Sequence, residues 1–472
     1  MKNTKGLSLS RALRLARTSA VAFVGGGGKT SAVFLAAREM APALVTTSTH
    51  LAARQAEKAD QHIVWNAGEP LQDFKSALKS GVTLVTGPRR EDIARLAAPT
   101  SEQLEQIRVV AKIHGLPLFI EADGSRQKPL KAPAEHEPAI PPFAQEVVVT
   151  AGMRGLGRLL DENFIHRPEI FGALSGLQTG ETVSVEAVIR VLTHPQGGLK
   201  NIPAGARRVV LLNQADTVDL QSRAGGMAAG LLNVFDAVIV ASAQREEIHA
   251  VYENIAAIVL AAGEAARYGK PKQLLDFHGE PFVRKAAKTA LAAGLWPVVV
   301  VTGAYAEPVE AAVRDLPVQI ARNERWREGQ ASSVRAGLNR VLNPSPDAAG
   351  VRGIWGRAMG GAIFLLVDQP QVTVHVLEGL KSRHAQGLFP IVAPLAADRR
   401  ANPVLFDRDT FPELMKLEGD VGGRAVMRQF PTEYVPWHDE SLLFDVDDEE
   451  DYRKLMMWGR TDVDNGGSGE TD

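Results

Sequence analysis

The 472-residue chain contains no cysteine. That absence removes disulfides, thiolate zinc sites, cysteine-ligated iron–sulfur clusters and cysteine nucleophiles. No apolar run approaches the length needed to span a bilayer; Ile255 to Ala262 is typical of the longest. Nor is there an excess of one charge sign. Lys plus Arg number 53 against 55 Asp plus Glu, a net −2, which gives no global attraction to nucleic acid or to a membrane surface. Aromatics are sparse at 6%, yet 45% hydrophobic and 23% charged residues are ordinary globular values and exclude wholesale disorder. The segment 1–17 is basic but lacks a continuous apolar centre and a cleavage site, so no secretion signal is read. The expectation is a cytoplasmic protein acting on small molecules, with neither nucleic-acid nor membrane partners.

What is present is a repeated unit: a short apolar run, a turn, then a helical pattern. Residues 20–24, 43–47, 83–86, 118–122, 146–150, 208–212 and 237–241 read as strands, and so do 256–261, 297–302, 362–367 and 390–393. Amphipathic stretches at 31–40 and 101–114 read as helices. Near-continuous apolar strands alternating with helices predict an α/β protein with parallel sheets covered on both faces. Two strands open directly into glycine turns, near residues 25 and 263, which predicts two doubly wound nucleotide-type domains. The expected division is 1–250, 251–460 and a disordered tail at 461–472, with 244–253 as a polar, helical connector and 343–361 as a flexible loop.

In the second half the opening run is Ile258-Val259-Leu260-Ala261-Ala262-Gly263, followed by Arg267, Gly269 and Lys272. A strand ending in small residues lets the backbone approach a ligand closely, and the amides of its loop can cradle phosphate oxygens. Arg267 and Lys272 add two cations suited to a triphosphate. Asp368 follows the apolar run 363–367, so its carboxylate projects at the carboxyl edge of a sheet, where open α/β folds bind ligands. A hard oxygen donor there suits Mg²⁺. Taken singly, Asp368 could equally cap a helix, and the acidic run 445–451 could be a solvated face.

The motifs in order resemble the MobA-like nucleotidyltransferases, and most closely the molybdenum cofactor cytidylyltransferase branch. The resemblance runs over about residues 255–457. It includes Gly329-Gln330-Ala331-Ser332-Ser333-Val334-Arg335, Val367-Asp368-Gln369-Pro370, Ala401-Asn402-Pro403, Gly419-Asp420-Val421-Gly422-Gly423-Arg424 and Asp445-Val446-Asp447. Leu260-Ala261-Ala262-Gly263 leans to the cytidylyl side, since guanylyl members tend to carry a second glycine in that tetrad. The resemblance implies a Rossmann-like domain that transfers CMP from CTP to the terminal phosphate of molybdopterin cofactor and releases pyrophosphate. In that reading Lys272, Arg267 and Asp368 are catalytic. Leu260, Ala261, Ala262, Gly263, Gly303, Ser332 and Ser333 line the nucleotide, and Asn402 is near the acceptor. Mg²⁺ sits on Asp368 with Asp447 or, second in order, Asp445. Another phosphorylated acceptor, or a cofactor chaperone built on the same fold, is the alternative.

In the first half, Gly25-Gly26-Gly27-Gly28-Lys29-Thr30 follows a strand and precedes a helix, a shortened relative of the Walker A loop. Gly25 and Gly28 would face phosphates, Lys29 would reach the terminal ones, and Thr30 with Asp123 would hold Mg²⁺. Asn213-Gln214-Ala215-Asp216 follows another strand and imitates the Asn-Lys-x-Asp purine reader, with Asn213 and Asp216 as its base contacts. This half resembles the YqeC family over about residues 8–250, through Gly25 to Thr30, Glu121-Ala122-Asp123-Gly124-Ser125 and the string Lys128 to Pro138. The resemblance implies an accessory role to selenium-dependent molybdenum hydroxylases and a hydroxylase apoprotein as partner, while the glycine loop and the purine reader point to GTP or ATP in a P-loop-like domain. His50, His136 and His166 are further candidates, with structural roles equally open to them.

Overall fold

The computed structural model describes residues 6–66, 68, 80–90, 95–264, 270–343 and 359–464, the last seven by backbone alone. The chain divides into two compact units, residues 1–252 and 253–472.

Unit 1 is built on nine strands: β1 (Ala20–Gly25), β2 (Ala43–Thr47), β3 (Gln61–Val64), β4 (Val82–Thr86), β5 (Leu118–Glu121), β6 (Glu146–Gly152), β7 (Arg207–Asn213), β8 (Ala237–Ser242) and β9 (Glu247–Glu253). Their order across the sheet is β9-β8-β7-β6-β1-β5-β2-β4-β3. The pairings of β1 with β5 and β6, and of β7 with β6 and β8, are parallel, as are those of β2 with β4 and β5. Residues of β1, β2, β4 and β5 are almost all buried, which is the pattern of strands covered on both faces. The helix α1 (Lys29–Glu39) starts directly from the glycine turn, with Gly28 at φ 100° in the left-handed region. Thr100 and Gln103 form a capping box that starts α2 (Ser101–Ile113).

The segment expected as a helical connector is instead the edge strand β9. Ile248, Val251 and Tyr252 favour extended backbone, and the open edge of β8 offers main-chain partners that an isolated polar helix lacks.

Unit 2 contains β10 (Ile255–Ala261), β11 (Val298–Thr302), β12 (Gln319–Arg322), β13 (Gly361–Leu366), β14 (Ile391–Ala396), β15 (Arg399–Arg400), β16 (Val404–Asp407) and β17 (Thr432–Trp437). The order is β12-β11-β10-β13-β16-β14-β15, with β17 beside β14. Successive side chains of one strand enter different cores. Ala257 and Val259 join Val298, Val300, Ile363 and Leu365 on one face. Ala256 and Ile258 join Val299, Val301, Ala362 and Phe364 on the other.

The parallel arrangement expected here holds for β10 with β11 and β13 but not for the whole sheet. β16 runs antiparallel to both β13 and β14. The cause is local: Ala397 and Asp398 take left-handed backbone (φ 45° and 56°), folding β14 and β15 into a tight hairpin. The final helix, Glu449–Asp464, extends into the tail expected to be disordered, and 465–472 lie outside the described residues. Of the loop expected over 343–361, residues 344–358 also lie outside them, while Gly361 opens β13.

Candidate functional site

In unit 2, β10 lies between β11 and β13, and Leu260 is in register with Leu366. The loops leaving β10 and β13 therefore open side by side at one carboxyl edge. A cavity of about 690 Å³ there is lined by Ala262, Gly263, Lys272, Trp326, Ser333 and Asp368. A second cavity, of about 350 Å³, is lined by Arg400, Asn402, Arg424 and Asp445. Leu260, Gln330, Leu366 and Asp420 line both and form their common wall. Two cavities meeting at a strand edge can hold two substrates with their reacting ends together.

Asp368 stands at this edge, in the lining of the larger cavity. Its Oδ1 is buried with no hydrogen-bond partner among the described residues. Burial, and then the neighbouring charge of Asp445, push its carboxyl up to about 6, against the pull of Lys272. Asp445 accepts from Gln369 Nε2 at 2.6 Å, and burial raises its carboxyl as well. Asp447 is paired with Lys272, Nζ to Oδ1 at 2.9 Å. No group of three or more His, Asp or Glu gathers to hold a metal alone among the described residues. A hard cation taking one or two carboxylates and completing its shell with substrate oxygens is what this donor set fits, and the orphaned oxygen of Asp368 is the place for it.

Several expected residues stand elsewhere. Arg267 lies outside the described residues. Ala261 is buried within β10. Gly303 faces the protein: a Cβ built on it would sit 2.5 Å from the Ala262 carbonyl oxygen. Ser332 is buried, donates to the Gly329 carbonyl at 2.8 Å and accepts from Asn323 Nδ2 at 2.8 Å, so of the serine pair it is Ser333 that reaches the cavity. Sequence reasoning passed over Trp326, whose ring has the Arg327 guanidinium 4.3 Å from its centroid. The available signal was an aromatic between two arginines, three residues before the Gly329 motif.

In unit 1 the glycine loop follows β1, which lies between β5 and β6. Its first three amides are used internally. Gly25 N–H donates to the Asp123 carboxylate at 2.9 Å, Gly26 N–H to the Thr150 carbonyl at 2.8 Å, and Gly27 N–H to the Lys128 carbonyl at 3.0 Å. The cradle expected of Gly25 is therefore already filled, and the amides left to a ligand are those of the first turn of α1, from Gly28 on. Lys29 is buried against Asp123 at 3.0 Å, and Thr30 donates to Glu121 at 2.9 Å. Asn213 bridges two loops, donating to the Gly27 carbonyl at 2.7 Å and accepting from Ala243 N–H at 2.9 Å. Asp216 is paired with Arg154 at 2.7 Å. His50 stands 3.4 Å from Arg90, His136 is exposed, and His166 lines a separate basic pocket.

Comparison with known proteins gives two matches in chain order. The YqeC protein family matches residues 21–169, and the MobA-like NTP transferase domain matches 257–435. The YqeC protein of Escherichia coli is 31% identical over 202 residues, 42% of this chain and 77% of that one. The nicotine blue oxidoreductase of Paenarthrobacter nicotinovorans is 32% identical over 211 residues, 43% of this chain and 96% of that one. The chain belongs to both families. The purine catabolism protein PucB of Bacillus subtilis is also similar, at 28% identity over 41% of this chain and 92% of its own. The match to the MobA-like NTP transferase domain thus spans Asp368 and the linings of the two cavities apart from Asp445, and the YqeC match spans the glycine loop and the Lys128–Pro138 string. No helix among the described residues is long and apolar enough to cross a membrane.

Proposed function

We propose that the MobA-like domain transfers CMP from CTP to the terminal phosphate of molybdopterin cofactor, and that the YqeC domain binds GTP or ATP while assisting maturation of a molybdenum hydroxylase. The observation that carries the first part is the unpartnered, buried Asp368 oxygen facing the larger of two adjoining cavities. Asp368, with Asp445 or Asp447, would hold Mg²⁺, which when bound supplies positive charge to the triphosphate. Ala262 and Gly263 bring main chain to the phosphates, and Lys272 faces the departing pyrophosphate. Asn402 and Arg400 position the acceptor in the smaller cavity. An oxygen of the acceptor's terminal phosphate attacks the α-phosphorus of CTP. The bond to the β-phosphate oxygen breaks and pyrophosphate leaves, so no protein nucleophile is required.

The test is pyrophosphate release by the purified full chain with Mg²⁺ and molybdenum cofactor, comparing CTP, GTP and ATP. Release with CTP alone, lost in Asp368→Ala and kept in Lys29→Ala, is the expected result. Release with GTP alone moves the chemistry to the guanylyl branch. Cofactor binding without release under any nucleotide replaces the transferase with a carrier.

A further inference from the structure

A chain of alternating buried charges leads away from the glycine loop of unit 1. Lys29 Nζ lies 3.0 Å from Asp123 Oδ1, and Asp123 Oδ2 lies 2.7 Å from Lys131 Nζ. Lys131 Nζ is 2.7 Å from Glu137 Oε2, and Glu137 receives both terminal nitrogens of Arg167, at 2.8 and 3.1 Å. Three cations and two carboxylates alternate along it, and the buried Glu121 carboxyl, raised by burial, faces Lys29 and Lys131 at its inner end.

The Arg167 end opens into a pocket of about 410 Å³, lined by Arg126, Lys128, His166, Arg167, Glu162 and Glu169. The two glutamates of the lining are exposed to solvent. Arg126 has no acceptor among the described residues, and Lys128 Nζ reaches only the Asn163 carbonyl, at 3.1 Å. Arg126, Gln127 and Arg167 take left-handed backbone, with φ of 47°, 62° and 64°. The turn through Arg126 and Gln127 closes with Lys128 N–H on the Ser125 carbonyl at 3.0 Å. Burial, and then the positive charge of Arg167, Lys131 and Arg126, hold the His166 imidazole at about 4 against the pull of Glu137.

We infer that this pocket is a second ligand site of the YqeC domain, one that takes the phosphate group of a phosphorylated small molecule between Arg126, Lys128 and Arg167. Arg126 and Lys128, which bring unpaired donors, suit a phosphate through charge-assisted hydrogen bonds, and Arg167, whose terminal nitrogens are held by Glu137, adds positive charge to the wall. The segment Lys128–Leu130 meets the glycine loop through its main chain and the pocket through the Lys128 side chain, so the site borders the loop without using its amides. The inference does not depend on what the MobA-like domain transfers.

The experiment titrates inorganic phosphate into the full chain by calorimetry, in a Lys272→Ala background that weakens phosphate binding in unit 2. Arg126→Ala with Lys128→Ala is expected to weaken the remaining binding by about tenfold or more, as loss of two charge-assisted contacts should. Arg54→Ala, an exposed arginine elsewhere in unit 1, is expected to leave it unchanged. Both replaced pocket residues are at least partly solvent-exposed, and circular dichroism of each variant verifies folding. Unchanged affinity in the double variant overturns the site. An equal loss in Arg54→Ala also overturns it, because binding would then follow net charge alone.

Discussion

Lys29 Nζ and Asp123 Oδ1 stand 3.0 Å apart with side chains only 3% and 2% exposed, so the glycine-loop lysine is held by a carboxylate of its own domain. The other Asp123 oxygen is 2.7 Å from Lys131. Replacing one member of a buried ion pair leaves its partner's charge uncompensated in a poorly solvated place, and that costs more than the pair itself contributes.

Asp123→Asn is therefore expected to destabilise unit 1 by about 3–5 kcal/mol, through two lysines left facing a neutral amide. Hydrogen exchange across β1 in a urea series measures this locally. A change below about 1 kcal/mol would mean that solvent already screens the pair.

Glu137 supplies a pH signature. Burial disfavours its carboxylate, but the hydrogen bonds from Arg167 and Lys131 prevail and hold it at about 2, below the usual 4.5. A depressed folded-state value means that the stabilisation is fully present above pH 4.5 and is lost as pH falls toward 2. At neutral pH the difference corresponds to about 3 kcal/mol. Glu137→Gln should lose that increment at pH 7 and show a flatter stability curve between pH 4.5 and 2. Parallel curves for the two proteins across that window would be incompatible with the ion pairs described.

How far these features could be read in advance depends on which forces set them. The inner strands were legible because β1, β2, β10 and β11 are continuous apolar runs, β2 and β11 with threonine only at their carboxyl ends. Strand β9 was not: its mixed polarity fits a helix as well as a sheet edge, and only the presence of β8 decides. The carboxyl-edge position of Asp368 was legible from the apolar run before it. The inward use of Gly25, Gly303 and Asn213 was not, because each is set by chain remote in sequence: Asp123, Ala262 and Ala243. A glycine selected for close packing and a glycine selected for phosphate contact leave the same letter.

Gly303 allows that distinction to be measured. Its added Cβ would meet the Ala262 carbonyl oxygen at 2.5 Å and the Ala262 Cβ at 2.8 Å, and Ala262 lines the larger cavity. Gly303→Ala should displace the main chain that approaches the phosphates. Overpacking of this kind costs about 1–3 kcal/mol in stability. The nucleotide KM should rise along with the fall in stability, although the new methyl group points into protein. An unchanged KM in a destabilised protein would confine Gly303 to packing.

The second carboxylate beside Asp368 can be assigned by comparing two conservative variants. Asp445 exerts a larger electrostatic effect on Asp368 than Asp447 does, and Gln369 fixes its orientation at 2.6 Å. Asp447 is 57% exposed and is occupied by Lys272 at 2.9 Å. Asp445→Asn removes negative charge from the immediate surroundings of Asp368 and should raise the Mg²⁺ concentration needed for half-maximal pyrophosphate release by about ten- to a hundredfold, the range seen when supporting groups of a metal site are lost. Asp447→Asn frees Lys272 from its partner and should change nucleotide KM by only a few-fold, with the Mg²⁺ requirement retained. The reverse ranking would give the metal to Asp447 and leave Asp445 as the residue that, through Gln369, holds the loop after β13 in place.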